Sequence, residues 1–289
     1  MANFLVGTSG GLYRDDGSLL DERPVTHLAA GPGGVWGVLE QHVVARWQDG
    51  WKDVASLSEH RARCVLPDGE GALVGTSEAR LFRVDEHTIV PVASFDEVAG
   101  RDDWYTPWGG PPDTRSLARS DTALIAGVHV GGVVRSTDGQ HWEPTAMDID
   151  ADVHQVAARG TRLLAATAFG LAVSDDGGDT WAFHTDGLHA TYCRAVSDAG
   201  RIVLVSASRG HTGTDAALYR WPGSGPLVRC ADGLPMWFGD NVDSHCLAAA
   251  GHDIALGTHD GRVFRSDDAG ETWYTGPSDL PAIAAVVAS

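Results

Sequence analysis

The chain has 289 residues, 13 of them His, and a formal net charge of −18 at pH 7. Lys52 is the only lysine, so the remaining basic residues are all arginine. An acidic surface without a basic tract excludes nucleic acid and anionic membranes as partners, because neither phosphate backbones nor anionic lipids are held without clustered cations.

The cysteines, Cys64, Cys193, Cys230 and Cys246, show no C-x-x-C pairing and no metal-ligand spacing. Three of them, Cys64, Cys193 and Cys246, sit in or beside apolar strand patterns, so buried thiols are expected. The opening M-A-N-F-L-V-G-T-S-G has neither a basic n-region nor a long apolar run. No signal peptide or membrane span is expected, and the chain reads as cytoplasmic with reduced thiols.

Taken in order, the chain is a repeat. Residues 3–17 hold two strand patterns, N-F-L-V-G-T and G-L-Y-R, with no strand before them. A pair of short apolar strands around a Gly or Asp turn then recurs from His27, Cys64, Ser116, Asp152, Arg194 and Cys246. The copy at Asp152–Thr185 is the most complete: V-H-Q-V-A-A-R, R-L-L-A-A-T, L-A-V-S and W-A-F-H-T, four short strands bounded by turn residues. The third strand ends in Arg at Arg14, Arg46, Arg83, Arg135, Arg220 and Arg265, and only the copy at Val173 lacks it. These arginines are expected to bond turns or carbonyls of their own blade. Residues 281–288, P-A-I-A-A-V-V-A, form a first strand with nothing after it. Joined to residues 3–17 they complete one more unit and close a ring without an open edge. The expected fold is all-β: a seven-bladed β-propeller of four-stranded antiparallel blades, closed by pairing of the terminal strands, with residues 1–289 as one domain.

Three copies carry a turn motif between third and fourth strands. They are S-D-D-G-G-D-T-W (Ser174, Asp176, Gly178, Trp181), S-D-D-A-G-E-T-W (Ser266, Asp268, Gly270, Trp273) and the shorter S-T-D-G-Q-H-W (Ser136, Asp138, Trp142). The Asp can accept hydrogen bonds from its own turn, Gly relieves the backbone, and Trp is expected to plug the blade. The motif resembles the Asp-box, or BNR repeat, of sialidase-like propellers, a family that also includes sortilin-type receptors and a photosystem II assembly factor with an Arg-lined face. The resemblance covers the whole chain and implies the fold. A sialidase would need an Arg triad, a Tyr–Glu pair and an Arg-Ile-Pro motif. Arg23-Pro24 does not match that motif, only Arg63 and Arg115 could stand in for part of the triad, and no Tyr–Glu pair is evident. Glycoside hydrolysis by paired carboxylates is therefore not implied.

In a propeller these motif turns lie on the bottom face. The longest inserts, residues 94–114, 207–215 and 231–244, fall on the top, with nine histidines: His27, His42, His60, His129, His154, His189, His211, His245 and His259. Aligning the first strands places His27, Arg63, Arg115, His154, Cys193 and His245 around the channel mouth, with His129 approaching from a loop. Arg63, Arg115 and His27 are expected to bind an anion. Trp104, Tyr105, Trp108, Trp237 and Phe238 are expected to wall the pocket, and Asp240 and Asp243 to supply its acids. His129, His154 and His245 are the candidates for acid–base catalysis in a lyase, isomerase or hydrolase. No cofactor is expected; a divalent metal on His27, His154 and His245, with His129, is the alternative. Cys193 near His154 or His189 is a further candidate, as a nucleophile. Two readings follow: a monomer or weak oligomer that binds a small anionic molecule, or an interaction scaffold that uses the same aromatic face for a protein partner.

Overall fold

The computed structural model describes residues 2–289. They form seven four-stranded antiparallel sheets. The first strands of successive sheets pack side by side all the way round, which makes the sheets the blades of a ring. Blade 1 joins the ends of the chain: Ile283–Ala288 pairs with Phe4–Thr8, which pairs with Gly11–Arg14 and then Leu19–Asp21. Blades 2 to 7 begin at Val25, Ala62, Thr114, Val153, Tyr192 and Leu247. Short alternating apolar strands bury both faces between neighbouring sheets. Between blades 6, 7 and 1, for example, Leu204, Ile254, Phe264 and Trp273 pack into one apolar cluster. Among the described residues no helix is long and apolar enough to cross a membrane.

One irregularity repeats. In blades 2 to 5 the first strand holds one extra residue relative to the second, at Thr26, Arg63, Arg115 and His154. Blade 6 has the same slip between Cys193 and Val196, and blade 1 has it at Ala284. A β-bulge leaves its extra residue unpaired and re-aims its side chain. Here it also frees a backbone N–H two residues further on, and the preceding blade takes it up. Val65 N–H donates to His27 Nδ1 (3.3 Å), Val156 N–H to Ser116 Oγ (2.9 Å) and Val196 N–H to Gln155 Oε1 (3.3 Å). The residue just after the bulge in blades 2, 4 and 5, namely His27, Ser116 and Gln155, is thus a fastening between blades.

The third-strand arginines depart from the expectation. Arg46 stays in its own blade, on the Gly33 carbonyl at 2.8 Å. Arg83 and Arg135 reach the next blade's motif turn, at the carbonyls of Gly139 (2.6 Å) and Gly177 (2.8 Å). Arg220 reaches Glu271, and Arg265 pairs with Asp15 across the ring closure. Arg83 and Arg135 also keep a partner in their own blade, Asp68 at 2.5 Å and Glu143 at 3.0 Å.

The motif turns are self-contained. The Asp268 carboxylate accepts from the N–H groups of Glu271 and Thr272, both at 2.9 Å, while Ser266 Oγ accepts from Gly270 N–H at 2.9 Å. Asp176 and Ser174 do the same for Thr180 and Gly178, and Asp138 and Ser136 for His141 and Gly139. Gly178 and Gly270 hold φ of 103° and 82°, where a side chain would be strained. Trp142 and Trp273 are plugs, 6% and 5% exposed. Trp181 is only half-buried and donates its Nε1–H to Thr145 Oγ1 at 3.3 Å.

Trp273→Ala is therefore expected to cost about 3–5 kcal/mol in denaturant unfolding, as for a large buried aromatic. Trp181→Ala should cost roughly half as much. Equal losses would show that the two indoles are equivalent plugs. Burial alone would raise the Asp268 carboxyl, but the hydrogen bonds from Thr272, Ser266 and Glu271 outweigh it and hold the group at about 2. A depressed carboxyl stabilises the fold above its unfolded value, about 3.9, and that contribution is lost as pH falls through its folded value. Acid titration should show part of the wild-type stability disappearing between about pH 4 and 2, and Asp268→Asn should flatten that segment.

Candidate ligand site at the channel mouth

The bulges determine which side chains face the channel. Arg63, Arg115, His154 and Arg194 come from the first strands of blades 3 to 6. With His129, His245, Trp108, Asp113 and Asp243 they line a cavity of about 670 Å3. That is the size range of small-molecule sites. A larger groove, about 860 Å3, opens between blades 1 and 2 at Arg14 and Trp47, away from every arginine and histidine of the mouth.

Ion pairs organise the rim. Arg63 Nε lies 3.0 Å from Asp113 Oδ2, and Arg194 Nη2 lies 2.7 Å from Asp243 Oδ1. Arg115 is different. It is half-buried between them, and among the described residues its guanidinium has no hydrogen-bond or ion-pair partner. Burial, and then the like charge of Arg194, lowers its pKa. An unpaired guanidinium in such surroundings is a preorganised acceptor of an anion.

One wall is a row of rings. Trp108 lies over His129 (centroids 5.1 Å), His129 stands 6.3 Å from His154, and His154 meets Tyr192 edge-on at 4.6 Å. Thr106 Oγ1 donates to Gly109 O at 2.9 Å and so ties the turn that presents Trp108. Asp152 lies between the two imidazoles, with Oδ1 2.9 Å from His129 Nε2 and Oδ2 3.4 Å from His154 Nε2. Its backbone is left-handed, φ 53°, directly after the 3-10 turn Ile149–Ala151, and its carboxylate stands against the two imidazoles. Burial alone would raise the Asp152 carboxyl. The adjoining imidazoles of His129 and His154 outweigh it and hold the group well below the usual carboxylate range.

His245 closes the floor. Its Nε2–H donates to the Arg115 carbonyl at 3.1 Å, its ring packs against His27 at 4.2 Å, and its N–H donates to Gln155 Oε1 at 2.9 Å. Burial lowers its pKa to about 4, so it is neutral near pH 7.

The structure therefore brings Arg63, Arg115, His129, His154, His245, Trp108 and Asp243 to one cavity. It does not bring the other expected residues there. His27 lies under the floor as the acceptor for Val65 N–H, with its pKa pushed well down by burial and by His245. Trp104 packs against Phe95 beneath Arg101, as part of the core between blades 3 and 4. Trp237 covers His189 and Arg229 on the rim of blade 6, while Phe238 is core. Tyr105 bonds Asp150, and Asp240 accepts the N–H of Asn241 within its own loop.

The His27, His154 and His245 metal set is not assembled. Among the described residues no group of three or more His, Cys, Asp or Glu could hold a metal ion. The ring nitrogens are already engaged, His27 Nδ1 by Val65, His154 Nδ1 by the Cys193 carbonyl and His245 Nε2 by the Arg115 carbonyl. Cys193 is not at the mouth either. Its side chain is fully buried and burial pushes its thiol far up, which is the reverse of a nucleophile.

Arg194 and Asp152 are the residues that strand alignment misses. A signal for Arg194 is present. The tetrapeptides V-T-H-L, A-R-C-V, T-R-S-L, V-H-Q-V, C-R-A-V, H-C-L after Ser244, and I-A-A-V share an apolar residue two places after the one that faces the channel. That rule selects Thr26 and Arg194 where simple alignment selects His27 and Cys193.

No family model matches the sequence, and no curated protein matches it. Solved structures do match in fold. YCF48 from Cyanidioschyzon merolae is 15% identical over 98% of this chain and 90% of its own, with a TM-score of 0.62. A structure described as YCF48 bound to D1 peptide is 13% identical over 94% and 83%, TM-score 0.56. The GH74 xyloglucanase from Xanthomonas campestris is 14% identical over 95% of this chain but 47% of its own, TM-score 0.62. At these identities the likeness is one of fold: a seven-bladed β-propeller.

All the cysteines are free and buried, and burial raises each thiol, Cys230 to about 12. A thiol reagent at neutral pH should label none of them in the native protein and all of them in denaturant. Rapid native labelling of Cys193 would overturn its placement in the core.

Proposed function

We propose that this chain is a single-domain Asp-box propeller that binds a small anionic molecule at the channel mouth, with Arg115 as the anchor. One observation carries the reading. Arg63 and Arg194 each have a carboxylate partner, and Arg115 between them has none. A bound carboxylate or similar oxyanion would complete that guanidinium bidentately. Trp108 supplies an apolar cover, and the Arg63–Asp113 and Arg194–Asp243 pairs offer donors and acceptors to the rest of the ligand. Binding is favoured over catalysis because the candidate acid–base groups, His129 and His154, have side chains 3% and 0% exposed. Buried, unpaired thiols agree with a reducing, cytoplasmic setting.

A protein partner is the second reading. Trp108 is 72% exposed beside Arg115, so a chain segment with an acidic group and an apolar neighbour would fit the same mouth. A propeller of similar fold is described as bound to a peptide.

The test is thermal unfolding with millimolar sulfate, formate, phosphate and small carboxylates, since ligands of the folded state raise the Tm. At least one should stabilise the parent, and Arg115→Gln should abolish that shift while leaving the unliganded Tm nearly unchanged. An equal shift in Arg115→Gln would overturn the assignment.

A further inference from the structure

Counted by its guanidiniums and carboxylates alone, the mouth has no net charge to offer an anion. Three arginines, Arg63, Arg115 and Arg194, and two aspartates, Asp113 and Asp243, line the cavity, and a third aspartate, Asp152, stands against the lining histidines His129 and His154. The two outer pairs neutralise themselves. Asp152 then leaves Arg115 balanced electrostatically although the two make no bond. An anion that seats on Arg115 converts this balanced site into a negative one in partly buried surroundings, an unfavourable result unless a proton accompanies it.

The structure contains one place built for that proton. His154 Nδ1 is 2.7 Å from the Cys193 carbonyl. A carbonyl only accepts, so Nδ1 carries the hydrogen and neutral His154 turns a lone pair on Nε2. That lone pair faces Asp152 Oδ2 at 3.4 Å, acceptor against acceptor, and Nε2 is buried without a hydrogen-bond partner. On the other side of the same carboxylate, His129 Nε2 approaches Oδ1 at 2.9 Å. The charged and titratable groups around His154 are Asp152, Arg115, Arg194, His129 and Tyr192. Burial first, then Arg194 and Arg115, lowers the pKa of His154 against the opposing pull of Asp152.

We propose that the mouth is a proton-linked anion site, in which an oxyanion binds to Arg115 as His154 Nε2 takes up a proton against Asp152. This rests on the reading that Arg115 anchors an anion. Uptake turns the acceptor–acceptor contact into a charge-assisted hydrogen bond. The anion offsets the repulsion from Arg115 and Arg194, so the folding of charge is mutual: the anion favours the proton and the proton favours the anion. The ligand class is a small oxyanion whose affinity rises as pH falls, with no covalent step.

Sulfate and formate test this, since neither changes its own protonation between about pH 5 and 8, where His titrates. Isothermal calorimetry in buffers of different ionisation enthalpy reads the protons exchanged. Uptake of up to about one proton per anion is expected, with Kd weakening as pH rises by up to about tenfold per unit. His154→Asn keeps a donor near the Cys193 carbonyl but has no titrating nitrogen, so it should bind with proton uptake near zero and a flat pH profile. Asp152→Asn, which suits the left-handed backbone there, should also reduce the uptake. Tight binding without proton exchange in the parent would overturn the linkage and leave the anion site standing. Full uptake in His154→Asn would overturn the assignment to His154. Absence of sulfate and formate binding at every pH would overturn the anion site and the linkage together.

Discussion

The cationic side of the mouth depends on one backbone device, the extra residue near the start of the first strands. A regular strand alternates its side chains between two sheet faces, and in a propeller both faces are covered by neighbouring blades. No side chain on such a strand would point along the ring axis. The bulge breaks the alternation once and sends Arg63, Arg115 and His154 to the channel. The N–H groups it frees are then taken by His27, Ser116 and Gln155 of the preceding blades. The same irregularity thus builds the site and fastens the ring.

Charge is arranged with similar economy. Three guanidiniums and two carboxylates line one cavity, yet they pair unevenly, because the nearby Asp152 faces the two imidazoles while among the described residues Arg115 has no partner. The left-handed Asp152 and the left-handed His245 are what make this uneven pairing possible, φ 53° and 68°. Backbone in that region is costly for a residue with a side chain and persists only where the surroundings determine it. Here the surroundings are hydrogen bonds: Gln155 holds the His245 N–H, and the Arg115 carbonyl holds its ring.

Much of the architecture is legible in the order of residues. Short apolar strands, recurrent Gly turns and the split first repeat imply seven blades and the pairing of Ile283–Ala288 with Phe4–Thr8, as found. Arg63, Arg115, His154 and His245 are legible for the same reason: they precede the same apolar position in successive repeats. The failures share a cause. His27 and Cys193 were one residue from the true ring position, and a one-residue slip in a strand exchanges channel for core. Trp104 and Trp237 look like pocket walls by composition, but indoles on long loops also cover blade edges, and these two lie against Phe95 and His189. The third-strand arginines bond within their own blades at Arg46, Arg83 and Arg135, but the further reach of Arg83 and Arg135 to the next blade is not legible, because a repeat shows what recurs within a unit and not which neighbour it touches.

By itself, the sequence determines the repeat, the number of blades, the closing of the ring by its ends and the turn chemistry at Asp138, Asp176 and Asp268. These are local or periodic properties, set by alternation, by glycine and by side chains that bond their own turn. Only the tertiary structure decides that Arg115 stands without a partner, that Asp152 sits between His129 and His154, and that His245 spans the channel to the Arg115 carbonyl. The last of these joins blades far apart in the chain. They depend on bulges and left-handed backbone positions that redirect single side chains, and no spacing along the sequence encodes the distance between two residues that meet across a ring.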